Sequence, residues 1–209
     1  MMGPEDAQLA AYRRAFEQSP LGAVVLEQVV HPDEASALRK RLRARGFLPY
    51  RRLDRGRYEL LAEIGEPDLI QNLRRVAAAV TGARLVVAQA EAYRLRHGDY
   101  LLESTDLLPP PRRWYELTCD LSAGSSGEAQ VVYARRGEHV FVAPQLAGSV
   151  ALVRRDTEVS RYDRCLNHRI GDRVVHRLRL ALVSTEVAET APPPKAQSSK
   201  PQSSWPPKA

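Results

Sequence analysis

Two regimes of hydrophobic patterning divide the chain. In the first, Leu9, Tyr12 and Phe16 share one face of a helix predicted over Glu5 to Gln18, which Pro20 and Gly22 interrupt. Gly22 to Val30 (Gly-Ala-Val-Val-Leu-Glu-Gln-Val-Val) is rich in β-branched residues and reads as a strand. His31-Pro32-Asp33-Glu34 opens a second helix: proline suits the first turn, and the acids complement the dipole and free amides there. That helix runs through Leu38 and Leu42 to a capping Gly46. Arg51 to Leu61 reads as extended, and Asp68 to Thr81 as a third amphipathic helix stopped by Gly82.

From Ala83 the pattern becomes all-β. Strands are expected at Leu85–Leu95, Tyr100–Glu103, Tyr115–Ser122, Ala129–Ala134, Glu138–Ala143, Ser149–Arg154, Glu158–Ile170 with an interruption, and Arg173–Val183. Turn signals separate them at Pro109-Pro110-Pro111, Gly124 to Gly127, Arg136-Gly137, Pro144, Gly148 and Gly171-Asp172. Helices followed by eight short, evenly spaced strands predict an α+β chain, mainly β: a double-layered jelly roll buttressed by N-terminal helices. The expected organisation is an N-terminal helix over 1–21, a jelly-roll domain over 22–184 and a tail over 185–209. The tail holds Pro192-Pro193-Pro194, Ser198-Ser199, Ser203-Ser204 and Pro206-Pro207, a composition that buries too little apolar surface to fold, so disorder is expected there.

Composition narrows the function classes. A chain of 209 residues, 44% hydrophobic, supports one domain with a real core. It has no apolar run long enough to span a membrane and no basic-then-apolar start, so a cytoplasmic protein is expected. Cys119 and Cys165 have no metal-like spacing and read as reduced thiols. The net charge of +6 invites a nucleic-acid reading. However, all but Lys40, Lys195, Lys200 and Lys208 of the 31 basic residues are arginines, dispersed among Asp and Glu along the whole chain. No compact basic block with interleaved aromatics and no zinc-finger or helix-turn-helix pattern occurs, which argues against nucleic acid as a partner.

The chemistry concentrates in Tyr93 to Asp106 and Asn167 to Leu182. In the second stretch, period-two alternation puts Arg177 and Arg179 on one face of a strand and Leu178, Leu180 and Leu182 on the other, with His176 on the leucine side. Two arginines inside a barrel need an anionic partner, so they either bind a carboxylate ligand or face solvent. The first stretch runs Tyr-Arg-Leu-Arg-His-Gly-Asp-Tyr-Leu-Leu-Glu-Ser-Thr-Asp. It resembles the iron(II)/2-oxoglutarate-dependent oxygenases, in particular their prolyl 4-hydroxylase-like branch, in which a Tyr-x-x-Gly strand leads into His-x-Asp. Further matched pieces are Leu117-Thr118-Cys119-Asp120-Leu121-Ser122, Gly127-Glu128-Ala129-Gln130-Val131 and the run from Val142-Ala143-Pro144-Gln145 to Leu152-Val153. Order and spacing hold over roughly residues 22–183.

The resemblance implies a double-stranded β-helix, iron(II) and 2-oxoglutarate as cofactors, and hydroxylation of a C–H bond in a small-molecule or peptide substrate. It implies Asp106 and His168 as metal ligands. Arg179 or Arg177, with the Tyr93 or Tyr100 hydroxyl, would clamp the C5 carboxylate of 2-oxoglutarate, a pairing that suits a planar guanidinium. Where the family has its first iron-binding His, this chain has Ser104, a poor ligand for iron(II). Glu103 or water could fill the gap, and Glu158 competes with His168 for the distal ligand position. Two functions follow: an active dioxygenase, or a degenerate member that keeps the fold and uses the pocket to bind a carboxylate or a protein. For the tail, truncation before Ala191 is expected to leave the thermal midpoint nearly unchanged. A loss of several degrees in a melting curve would show that the tail packs on the domain.

Overall fold

The structure is a computed structural model, and it describes residues 6–104 and 114–185. Asp106 and all but the first residue of the 185–209 tail lie outside the described residues. Three helices precede or interleave the first strands: α1 (Asp6–Gln18), α2 (Pro32–Arg45) and α3 (Pro67–Thr81). Eleven strands follow in chain order: β1 (Ala23–Leu26), β2 (Leu48–Arg52), β3 (Gly56–Leu61), β4 (Leu85–Leu95), β5 (Tyr100–Ser104), β6 (Trp114–Asp120), β7 (Ser126–Arg135), β8 (Glu138–Gln145), β9 (Val150–Arg155), β10 (Val159–Asp163) and β11 (Val175–Ser184). The extended Arg51 to Leu61 stretch is a hairpin, β2 and β3. The interrupted Glu158 to Ile170 strand is β10 followed by a single 3-10 turn, His168–Ile170.

All pairings are antiparallel, in the order β1-β9-β6-β11-β4-β3-β5-β10-β7-β8, with β2 on β3. One layer is β9-β6-β11-β4 and the other is β5-β10-β7-β8, so the strands curl into a nearly closed jelly roll. β3 bridges the layers at one side: Leu60 pairs Tyr93 on β4, and Gly56 pairs Leu101 on β5. Gly56 has φ +125, and a Cβ there would meet the Tyr100 carbonyl oxygen at 2.3 Å, so this crossing needs glycine.

The helices are built as their sequences dictate. The His31 side chain accepts from the Asp33 amide at the α2 N-terminus, and Pro67 occupies the first turn of α3. Gly82, left-handed at φ +69, closes α3 by donating its N–H to the Ala78 carbonyl at 2.9 Å. The helices cover the outer face of the first layer, where the largest apolar cluster forms. Leu38, Leu42, Leu73 and Val80 meet Tyr115, Leu117 and Cys119 of β6 and Leu178, Leu180 and Leu182 of β11.

This burial consumes one face of β6 and one of β11. Their alternate residues, Glu116, Thr118 and Asp120 on β6 and Arg177 and Arg179 on β11, therefore point into the barrel. The chain thus places its main apolar core outside the barrel and charged side chains within it. Two smaller apolar clusters close the lumen. One holds Val131, Tyr133, Val153 and Val159; the other holds Tyr93, Leu95, Leu166 and Val175.

His176 lies on the helix-facing side of β11, as the alternation requires, packed edge-on against Phe47 at 6.2 Å. Its Nδ1 is 3.2 Å from the Val174 carbonyl, and its Nε2 accepts from Arg43 Nε at 3.4 Å, an arrangement suited to the neutral ring. Burial, with Arg43, Arg39 and Arg94 nearby, pushes its pKa down from 6.5 to about 4. The unfolded chain takes up this proton near 6.5 and the folded one only near 4, so unfolding binds more protons in between. Stability should be fully present above 6.5 and fall by about 3 kcal/mol as pH drops towards 4. Urea midpoints across this window are expected to slope in the wild type and to flatten in His176→Gln.

Candidate functional site

The polar faces of β6 and β11 meet those of β4, β9 and β10 inside the barrel. Glu116 lies at the centre of this layer, 3% exposed. Its Oε2 takes Arg155 Nη1 at 2.7 Å, and its Oε1 lies 2.7 Å from Arg161 Nε and accepts from the Tyr133 hydroxyl at 2.9 Å. Arg161 Nη2 reaches Asp163 Oδ2 at 2.7 Å. Asp163 also takes Arg177 Nη1, and Arg177 continues to Asp120 Oδ2 at 3.8 Å and the Ala129 carbonyl at 3.1 Å. The result is an alternating line of charges, Arg155–Glu116–Arg161–Asp163–Arg177–Asp120, in which every member is buried. Aromatic rings flank it: the Arg155 guanidinium lies 4.9 Å from the Trp114 ring centre, and that of Arg161 lies 5.5 Å from the Tyr93 ring centre.

Electrostatics follow from this order. Burial alone would raise the Glu116 pKa, but Arg155, Arg161 and Arg179 together outweigh it and hold the carboxyl below its usual range. Burial opposes the Arg161 charge too, yet its neighbours Tyr93 and Glu116 raise its pKa. Asp120, at the end of the line, is raised by burial despite Arg177.

A cavity of about 370 Å³ opens at the end of the barrel where β5 finishes and β6 begins. Its polar lining is Arg55, Ser104, Gln89, Glu91, Glu116, Arg155, Arg161 and Arg179. Its apolar walls include Tyr50, Tyr58, Leu60, Leu101, Leu102 and Trp114. Ser104 accepts a hydrogen bond from Arg55 Nη1 at 2.9 Å, and its carbonyl lies 3.4 Å from Arg155 Nη2. Arg161 is the register partner of Ser104 across the β5–β10 pair. Arg179 is paired with Glu91. Tyr58 stays protonated, its pKa pushed up to about 12 by burial and by Glu91.

The residues singled out from sequence separate in space. Arg177, Arg179 and Tyr93 converge inside the barrel, but Arg177 neither faces solvent nor leaves room for a ligand. The chain's own Asp163 satisfies it, an option the alternation could not reveal. The Tyr93 hydroxyl is likewise taken up by Arg161 and Asp163. His168, expected on the last strand pair, is exposed on the 3-10 turn. Glu158, its competitor, precedes β10 and pairs with Arg136 at 2.9 Å on the exposed surface. Glu103 points away from Ser104, to the opposite face of β5, and bonds the Ser160 hydroxyl. Tyr100 lines an outer groove instead of the cavity. Sequence reasoning missed Glu116, Arg155, Arg161 and Asp163. The available signal was Trp114-x-Glu116-x-Thr118-x-Asp120, a polar alternation opposite Tyr115, Leu117, Cys119 and Leu121 in a strand buried on both faces.

Among the described residues, the donor set does not fit iron(II), which takes imidazole and carboxylate ligands with open positions. All five histidines of the chain are described, and none lines the cavity. Among the described residues no group of three His, Cys, Asp or Glu side chains could hold a metal ion. Four guanidinium groups stand there instead, and they repel a cation.

The chain matches no protein-family model and no curated protein sequence. Its fold is nonetheless shared with solved structures. A prolyl-4-hydroxylase of Pseudomonas putida superposes with a TM-score of 0.64 at 13% identity, covering 86% of this chain and all of that one. An oxidoreductase of the 2OG-Fe(II) oxygenase family from Burkholderia pseudomallei gives 0.65 at 13% identity, covering 84% and 90%. The viral collagen prolyl hydroxylase of Paramecium Bursaria Chlorella virus-1, in complex with 2OG, gives 0.60 at 11% identity, covering 78% and 96%. The jelly roll is therefore that of the 2-oxoglutarate oxygenases. Among the described residues no helix is long and apolar enough to cross a membrane.

Removing one partner from a buried pair strands the remaining charges. Glu116→Gln should lower stability by about 3–5 kcal/mol, measured by urea unfolding. Glu116→Leu combined with Arg155→Met should recover most of that loss, because one charge of each sign is removed and Arg161 keeps Asp163 as its partner.

Proposed function

We propose that this chain is a catalytically silent binding module on the oxygenase fold, whose mouth cavity takes a small organic anion. The observation that carries the reading is Arg161, buried on β10 at the register of Ser104, in a cavity that no histidine lines. A guanidinium there removes the basis for holding a divalent cation and supplies one for holding an anion. Four arginines line the cavity against two glutamates, Glu91 and Glu116. The Nε of Arg155 is buried with no hydrogen-bond acceptor among the described residues. Tyr50, Tyr58 and Trp114 offer aromatic walls, and about 370 Å³ falls in the range of small-ligand pockets. The best-fitting ligand class is a carboxylate carried on a flat apolar body. Its carboxylate would meet Arg155 and Arg179, and its body the aromatic rings. A peptide substrate is a poorer fit to a cavity of this size.

Arg177 and Arg179 separate under this reading. Calorimetry with benzoate and with 2-oxoglutarate, in parallel with thermal melts, is the test. Arg179→Ala should weaken carboxylate binding by about tenfold or more, since it removes one charged hydrogen-bond partner. Arg177→Ala should instead lower the melting temperature, because Asp163 loses a buried partner. Manganese(II), added without oxygen, should raise the melting temperature of neither the wild type nor Ser104→His, because one added imidazole leaves Arg161 opposite it. A clear manganese-dependent rise in the wild type would overturn the reading.

A further inference from the structure

Asp163 occupies an unusual position. Its two carboxylate oxygens are divided between two guanidiniums, Arg161 on one and Arg177 on the other, and the Tyr93 hydroxyl lies 3.4 Å from both. All four side chains are almost fully buried. Arg161 and Arg177 come from β10 and β11 and Tyr93 from β4, so strands remote in sequence build one cage. Two guanidiniums and a phenol around a carboxylate form a complete recognition site for a free carboxylate group, with charge, geometry and a neutral donor all supplied. The cage touches both open spaces of the molecule. Arg161 lines the mouth cavity, and Asp163 borders the outer groove that Tyr162 and Arg164 also line.

We infer that Asp163 is a built-in occupant of a carboxylate-binding site, and that it decides ligand specificity by closing the floor of the mouth cavity. With Asp163 in place, an incoming anion is confined to the outer part of the cavity, at Arg155 and Arg179. Without it, Arg161, Arg177 and Tyr93 form a vacated cage that takes a small free carboxylate, or the far end of a longer dicarboxylate. The inference deepens the anion-binding reading above. The cage itself, however, stands on contacts within the chain and is tested without any ligand of the outer cavity.

The experiment compares the full-length wild type with Asp163→Ala and Asp163→Asn in sodium formate, sodium acetate or sodium chloride at equal ionic strength. Asp163→Ala takes the shared carboxylate from two buried guanidiniums, leaves the line with one positive charge in excess, and should lose roughly 10 °C in melting temperature. Formate, and acetate less so, should restore part of that loss along a saturating curve, because a ligand bound only to the native state stabilises it by mass action. Chloride should not do so. Asp163→Asn refills the cage with an isosteric neutral group and should show no formate-specific gain, nor should the wild type. If Asp163→Ala does not fold from the cell, refolding yield in formate against chloride replaces the melt, and a yield dependent on formate is expected.

Equal behaviour of Asp163→Ala in formate and chloride would overturn the inference, as would an equal formate gain in Asp163→Asn. Calorimetry with glutarate separates the two proposals. Formate rescue with no glutarate binding to any form supports the cage and removes the outer anion site. Glutarate binding to the wild type without formate rescue of Asp163→Ala does the reverse.

Discussion

Glu116 sits between Arg155 and Arg161 at the inner wall of the cavity, only 3% exposed, and the interior of the barrel is organised around that contact. An isolated carboxylate there would pick up a proton, and an isolated guanidinium would force the lumen open, since the desolvation of each ion amounts to several kcal/mol. Together, and extended through Asp163, Arg177 and Asp120, the charges alternate in sign along one line, so each is flanked by its opposite. Five strands contribute: β6, β9, β10 and β11 with the ions, and β4 with Tyr93. None of these groups can relax alone. A one-residue slip of any of these strands would turn its ions to the opposite face and leave their partners unpaired.

The same arithmetic bears on the chemistry of the cavity. A jelly roll that binds a divalent cation gathers neutral imidazoles and carboxylates at the ends of its strands and leaves positions open. This chain directs its histidines elsewhere. His176 packs towards the helices, His139 meets Tyr162 on the outer face, His168 is exposed on a 3-10 turn, and His31 caps a helix. Guanidiniums line the cavity, beside Glu91 and Glu116. The fold shared with the solved prolyl hydroxylases does not by itself carry their chemistry to this chain, since function lies in the side chains that line the site.

Much of the architecture was legible from pattern alone. The shift from helical periodicity to period two at Ala83, the glycine and proline turns and the β-branched runs located nearly every strand. These signals are local: they depend on backbone preference and on which face of an element is apolar. That Arg177 and Arg179 share a face was legible for the same reason, since Leu178, Leu180 and Leu182 claim the other; whether that face meets solvent or the interior was not. The resemblance of the Tyr93 to Asp106 stretch to the oxygenase pattern pointed to the jelly roll as well.

The partners of those side chains were not legible. Arg177 is satisfied by Asp163, fourteen residues away, and Arg161 by Glu116 on a strand that is not its neighbour in sequence. Which charge answers which is decided only when the two layers close on each other and the β5–β10 register sets Arg161 across from Ser104. A composition with 31 basic and 25 acidic residues admits very many pairings, and burial selects among them by penalising every charge left alone. The sequence by itself determined the scaffold and the face each residue occupies, because those are properties of single elements. The tertiary structure alone decided that the arginines answer the chain's own carboxylates, because that is a property of strands far apart in sequence meeting where water is excluded.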